Sequence, residues 1–358
     1  MIAFDLLVTL QDGRKLLVKQ ERRNIQGKTA GEFFNEWLLH EFLQQFPDLN
    51  SINLLFSEIL YFDAENSIIV FSYLSNYCEL ADFYAKKNIF SPAIASTNGA
   101  TLAIIHRATW NRQEYQNFFS KHQTDVSGDK AFCGLWGLER IAPEILGLVP
   151  VDALKFFTLY QRYDSLGKAI AELTSAMMPC CLTHNDLKLN NILLYNDWEQ
   201  ILLKSEPSNN SIIRLIDWER CAWGDPAFDI GMLIASYLQI WLNSLVVSKA
   251  IEIEESLASA LIPLEYLQPS LAALAIAYCN NFPEIFEYRP DFLKRVLQYS
   301  GLALIQQIQA AIQYNKTFGN TGICMLQVAK SLLCRPEPSI STVFGKTEFE
   351  LTGIGVRY

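Results

Sequence analysis

Apolar and polar positions change rhythm along the chain, and the changes divide it. Over residues 2–20 the segments AFDLLVTL and LLVKQ flank QDGRK, a pattern that predicts a β-hairpin. Asp12-Gly13 is the expected two-residue turn, because Gly accepts the positive φ of a tight hairpin. From Thr29 to Gln45 the period lengthens: Phe33, Phe34, Trp37, Leu38 and Phe42 recur at helical spacing and predict a helix whose broad apolar face packs on a sheet. Two more strands are expected over Asn53–Phe62 and Ser67–Leu74, with Asp63-Ala64-Glu65-Asn66 as their turn.

After Leu80 the pattern is helical. Thr97–Trp110 and Val151–Met177 read as long helices, and residues 120–150, with Gly128, Gly134, Gly137, Pro143 and Pro150, as a less regular stretch able to wall a substrate site. A short apolar run closes LTHNDLKLNNILL (Leu182–Leu194), and a polar excursion follows over Tyr195–Asn210. A strand then leads to Asp217, and Asp225-Pro226 predicts a helix start, Asp as N-cap and Pro at the first helical position. Ile251 to about Leu333 reads as helix broken at Pro263, Pro269, Pro283 and Pro290, and Arg335–Tyr358 as a tail. The sum is an α+β chain, a small antiparallel sheet followed by a larger helical part.

Composition narrows the class. The chain has 358 residues, half of them apolar and 19% charged, enough for two cores and unlike a disordered chain. No apolar run reaches the roughly 18 residues of a membrane span. MIAFDLLVTL carries Asp5 and no basic segment, so a signal peptide is not expected and a cytoplasmic location is. A net charge of −9 argues against nucleic-acid binding through a broad basic face. The eight Cys form no C-x-x-C pair and the four His no zinc spacing, so reduced, mostly buried thiols are expected.

The candidate chemistry lies in the central loop. Asp186 is followed five positions later by Asn191, and Ile216-Asp217-Trp218-Glu219 supplies a second carboxylate. An Asp that orients a hydroxyl, beside an Asn and an Asp that hold Mg2+ against a triphosphate, is a set suited to phosphoryl transfer. Gly27-Lys28-Thr29 is no phosphate loop, because the Gly that such a loop needs is Arg22.

His184-x-Asp186 with Asn191, followed by IDWE and GDPAFDIG, resembles the motifs of the aminoglycoside phosphotransferase and choline kinase family, distant relatives of protein kinases. The resemblance implies a bilobal protein-kinase-like fold: residues 1–76 a nucleotide-binding lobe with a small antiparallel sheet, residues 77–358 a large, mainly helical lobe with the catalytic loop and substrate site. It implies ATP and Mg2+ as cofactors and a small-molecule hydroxyl as acceptor. Asp186 would be the catalytic base, Lys188 would neutralise the moving phosphoryl group, and Asn191 and Asp217 would bind the metal. His184 would fix the loop's backbone, and Glu219 is either a second metal ligand or a structural carboxylate.

In the sheet, Lys19 resembles the family's strand lysine that reaches the α and β phosphates. Helical phase does not choose its partner among Glu32, Glu36 and Glu41, and the resemblance selects Glu36. Backbone groups of Ser72, Tyr73 and Leu74, where the chain would cross between lobes, would meet adenine. Asp229 would brace the catalytic loop. The resemblance also implies a first strand and a glycine-rich loop before the hairpin, and the sequence lacks both. Three readings stay open: a misassigned or truncated start, a different cover over ATP, or a catalytically inactive pseudokinase that serves as a nucleotide- or partner-binding scaffold.

Overall fold

A computed structural model describes residues 4–122, 151–203, 212–246 and 253–353. The chain forms two compact units, one from residues 4–89, 104–122 and 180–223, the other from the described parts of 90–103, 123–179 and 224–358. The expected substrate wall over 120–150 lies almost wholly outside the described residues.

In the first unit, β1 (Phe4–Thr9) and β2 (Lys15–Gln20) form the predicted hairpin. Its turn is longer than the expected two residues. Leu10 and Arg14 close the loop with Leu10 N–H donating to Arg14 O, and Gly13, at φ +85°, ends it. Helix α1 (Glu32–Gln45) follows. It begins later than the apolar period predicts because Gly31 sits in the left-handed region and the Glu21 carboxylate takes the Glu32 N–H. The first sheet is completed by β3 (Ile59–Asp63) and β4 (Ile68–Ser72), in the antiparallel order β1-β2-β4-β3.

The strand expected from Asn53 starts only at Ile59, since Asn53–Leu55 winds into a 3₁₀ turn. Phe33 of α1 packs with Ile59, Ile69 and Phe71 of the sheet, and Leu17, Trp37 and Phe62 border that core. Phe34, expected on the buried face, is exposed.

Next come β5 (Tyr77–Glu79), α2 (Leu80–Lys87), α3 (Pro92–Thr109) and α4 (Gln113–His122). Phe42 of α1 meets Tyr115, Phe118 and Phe119 of α4 with ring centroids 4.8–5.4 Å apart. The predicted helix over 151–177 is two, α5 (Val151–Gln161) and α6 (Asp164–Ser175). Then β6 (Cys181–Thr183) and β7 (Ile192–Tyr195) flank the central loop, and β7 pairs with both β5 and β8 (Ile213–Leu215). The polar excursion contains a helix, α7 (Trp198–Leu203). Trp198 meets Phe83 edge-on at 6.3 Å. β9 (Ala222–Gly224) pairs with β6.

The second unit is helical. Its centre is α8 (Pro226–Asn243), buried along nearly its whole length, as its all-round apolar sequence requires. Asp225 caps it as predicted, its side chain accepting from Ala227 N–H. After α9 (Ile253–Ala258), α10 (Leu264–Asn281) runs through Pro269, where a break was expected. Pro269 is exposed, so a carbonyl it leaves unpaired can be hydrated. Helices α11 (Ile285–Tyr288), α12 (Phe292–Asn315) and α13 (Asn320–Cys334) follow.

Gly231 of α8 lies against α12 so closely that an added Cβ would stand 2.6 Å from the Tyr299 Cβ. The expected tail is folded. Helix α14 (Pro336–Phe344) starts at a proline and stops at left-handed Gly345, and α15 (Glu348–Thr352) has a capping box between Thr347 and Glu350. Among the described residues no helix is long and apolar enough to cross a membrane.

Candidate functional site

Lys19, Glu36, Asp186, Lys188, Asn191 and Asp217 all belong to the first unit. Register places Lys19 opposite Ile69 of the central β4. Its ammonium lies 2.5 Å from Asp217 Oδ1 and 5.7 Å from the centre of the Phe71 ring. Burial works against the Lys19 charge, but the attraction of Asp217 and Glu36 outweighs it, and its pKa stands above the usual lysine value.

The ion pair expected between Lys19 and Glu36 is therefore replaced by one between Lys19 and Asp217. Glu36 instead accepts the Trp218 N–H at 3.1 Å through Oε1, while its buried Oε2 has no hydrogen-bond partner. Burial, then the neighbouring Asp217 charge, pushes Glu36 up to about 8, against the opposing pull of Lys19. Burial, with Glu32 and Asp217 nearby, likewise raises Glu219 to about 7.

A consequence for stability follows from the sign. A carboxyl with a raised native pKa binds its proton more tightly folded than unfolded, so its contribution is full below the ordinary glutamate value of 4.5 and is lost as pH rises to about 8. Without metal or nucleotide, the protein is expected to lose stability over this window, by on the order of a few kcal/mol. Urea unfolding at pH 5, 6.5 and 8 checks this. Glu36→Gln should flatten most of the slope and leave the smaller share of Glu219.

The central loop is tied to the Asp217 segment through His184, which is fully buried. Its Nδ1 accepts the Asp186 N–H at 3.3 Å, so Nε2 carries the proton and donates it to Ile216 O at 2.8 Å. Trp218 lies against the same imidazole, ring centres 4.6 Å apart. Asn185, at φ +62°, donates from Nδ2 to Arg220 O at 3.0 Å. The Thr183 hydroxyl lies 3.1 Å from Ala222 O.

Within the loop, Lys188 Nζ donates to Asp186 Oδ2 at 2.9 Å, and Asn191 Nδ2 to Asp186 O at 2.9 Å. Asn191 O receives the Ile216 N–H. With Nδ2 donating to Asp186 O, Oδ1 is the Asn191 side-chain atom able to ligate a metal. Asp217 itself is left-handed, at φ +60°, a conformation that costs a non-glycine residue roughly 1 kcal/mol or more.

No group of three His, Cys, Asp or Glu side chains suited to a metal ion occurs among the described residues. One carboxylate and one amide oxygen still fit Mg2+, which takes few protein ligands and fills its octahedron with phosphate oxygens and water. Where adenine was expected, the sheet already uses two backbone donors: Ser72 N–H donates to Glu58 O and Tyr73 N–H to Lys15 O. Asp229 is fully buried in the first turn of α8.

Sequence reasoning passed over Asn35. This α1 side chain donates from Nδ2 to Glu219 O at 3.0 Å and to Cys221 O at 2.8 Å. Contacts from a side chain to distant carbonyls leave no motif; its place next to Glu36 is the one available signal.

Residues 90–250 match the model of the phosphotransferase enzyme family. Comparison with curated protein sequences gives no match. Among solved structures, the chain is similar to a Plasmodium vivax ethanolamine kinase, with a TM-score of 0.51 and 14% identity over 91% of this chain and 78% of that one. It is similar to a choline/ethanolamine kinase family protein from Mesorhizobium loti, with a TM-score of 0.50 and 13% identity over 99% and 93%. A choline kinase from Streptococcus pneumoniae matches with a TM-score of 0.41 and 14% identity over 92% and 89%. The central segment of the chain, with its His184-x-Asp186 loop and Asp217, thus matches the phosphotransferase enzyme family, and the chain has the kinase-like fold of choline and ethanolamine kinases.

Proposed function

We propose that the protein is an ATP-dependent phosphotransferase that moves the γ-phosphoryl group to a hydroxyl of a small molecule. The observation that carries this reading is the cross-linking of the Asp186 loop to the Asp217 segment through one buried imidazole, His184. That link fixes an acceptor-side carboxylate relative to a metal-side carboxylate, and phosphoryl transfer depends on such positioning more than on a strong base.

In this reading residues 1–76 form the nucleotide-binding lobe and residues 77–358 the lobe that carries the catalytic loop and the acceptor site, in a cytoplasmic protein. Asp186 orients the acceptor hydroxyl and takes its proton as the new O–P bond forms and the bond to ADP breaks. Lys188, already on Asp186 Oδ2, offsets negative charge on the moving group. Lys19 leaves Asp217 for the α and β phosphates, and Glu36, one helix turn into α1, receives or steadies the ammonium. Asn191 Oδ1 and Asp217 would hold Mg2+. The chemistry supplied by such an ion would be positive charge to offset that of the phosphates. Adenine would lie along Ser72, Tyr73 and Leu74, with the Leu74 N–H as donor, because the Ser72 and Tyr73 N–H groups donate within the sheet and the Tyr73 and Leu74 carbonyls accept from Ser75 and Tyr77.

A second reading has its own support. Lys19 sits on the very carboxylate that the metal needs, which suits a pseudokinase scaffold in which that ion pair is permanent. The two readings separate in one experiment: thermal melting with ATP, with and without Mg2+, followed by a panel of candidate alcohols scored for ADP formation with Asp186→Ala as the blank. A metal-dependent rise in Tm and acceptor-dependent ADP formation absent from the blank are expected. No metal-dependent shift and no turnover above the blank would favour the scaffold.

A further inference from the structure

We infer that Asn35 is a positioning residue for the metal site: its carboxamide holds the turn after Asp217 so that the Asp217 carboxylate keeps its metal-facing place. The inference rests on the phosphotransferase reading for the metal itself, and on the geometry of α1 for the role.

Asp217 is a non-glycine residue in the left-handed region, and such a conformation persists when its surroundings over-determine it. Upstream, Ile216 is held by His184 through its carbonyl and by Asn191 through its N–H. Downstream, the chain turns back at once, with Cys221 N–H donating to Trp218 O. At this turn the Glu219 and Cys221 carbonyls both accept from Asn35 Nδ2, at 3.0 and 2.8 Å. Next to it, Glu36 Oε1 takes the Trp218 N–H. One turn earlier, Glu32 lies 3.5 Å from the Arg220 guanidinium.

One face of α1 thus grips four consecutive residues after Asp217, and Asn35 alone makes two of these contacts with uncharged, directional bonds. Loss of its two N–H donors leaves both carbonyls without these partners and lets Asp217 relax toward ordinary backbone geometry, while the aromatic core on the other side of α1 is untouched. The expected result is a weaker metal site on a folded protein. Outer-shell partners of this kind are worth about 10- to 100-fold in metal affinity.

The test is Mn2+ binding to the full chain with a non-hydrolysable ATP analogue, read by electron paramagnetic resonance, for the wild type and for Asn35→Ala, which removes both N–H donors without adding charge. A loss of Mn2+ affinity of about tenfold or more is expected, with the metal-free thermal midpoint nearly unchanged and affinity for the metal-free analogue retained. Should Asn35→Ala fail to fold, Asn35→Ser takes its place: its hydroxyl can serve one carbonyl, and an intermediate loss is expected. Wild-type Mn2+ affinity in a folded variant would overturn the positioning role while leaving the phosphotransferase reading intact. Absence of Mn2+ binding by the wild type would overturn the metal assignment and the role of Asn35 with it.

Discussion

Asp217→Ala is expected to abolish Mg-ATP-dependent turnover, a loss on the order of 10³-fold or more, while the protein stays folded. The size of the effect follows from what one carboxylate does here. Asp217 is the only charged ligand of the proposed pair, since Asn191 offers an amide oxygen, and Mg2+ binds such sites through one or two carboxylates. The same carboxylate is the hydrogen-bonding partner of Lys19, so its removal also leaves a mostly buried ammonium without its ion-pair partner. Because the Lys19 side chain is mostly buried, its uncompensated charge adds to the loss of the ion. Steady-state ADP formation with the best acceptor from the panel, at saturating Mg-ATP, measures the effect. Turnover equal to wild type would remove the metal assignment. Asp229→Ala is the informative contrast, because it empties a fully buried polar site in α8 and should act mainly through folding yield.

The clustering of Asp186, Lys188 and Asn191 was legible because it is local: the three sit within six consecutive positions, and a turn that short brings them together in nearly any packing. Asp225 as the cap of α8 was legible for the same reason, since cap and first turn are adjacent in sequence. What failed was pairing at a distance. Glu36 was rightly placed on α1, but its partner is decided by where the Asp217 segment crosses the helix, and that crossing gave Lys19 to Asp217 and the Trp218 N–H to Glu36. Asn35 escaped notice because its partners are carbonyls, which carry no residue identity.

Helix boundaries failed for another reason. Pro269 and the stretch after Arg335 were read from breakers alone, whereas burial of Leu264, Leu267, Ile340, Val343 and Phe344 outweighs the local cost of proline. Pro336 at a first helical position and Gly345 just past the end are the ordinary marks of a helix that fits between them.

The second large effect lies in the helical unit, away from any chemistry. Arg289→Ala is expected to destabilise the protein by about 3–5 kcal/mol, the usual cost of removing one partner from a buried pair. The Arg289 side chain is 5% exposed and that of Asp225 fully buried. One guanidinium nitrogen donates to Asp225 Oδ2 and another to Ala176 O. Asp225 meanwhile accepts the Met178 N–H at 3.1 Å and the Ala227 N–H at 3.1 Å, and the Tyr299 hydroxyl lies 3.5 Å away. One ion pair therefore joins the residues just after α6, the start of α8, the middle of α12 and the segment before α12.

Deleting the arginine leaves a buried carboxylate whose remaining hydrogen bonds come from neutral groups. Arg289→Lys should cost less: it keeps the charge but cannot serve Asp225 and Ala176 from one planar fork. Asp225→Ala should cost at least as much as Arg289→Ala, because it leaves the buried guanidinium to the more exposed Asp291 carboxylate, 3.6 Å from its Nε, and also removes the cap of α8, a further 0.5–2 kcal/mol, roughly. The double variant should be less damaging than the sum of the two, since neither ion is then left alone. Urea unfolding of the four proteins at pH 7 with a common slope decides it. Additive losses would mean that the two side chains contribute to stability separately and that the ion pair is incidental to the fold.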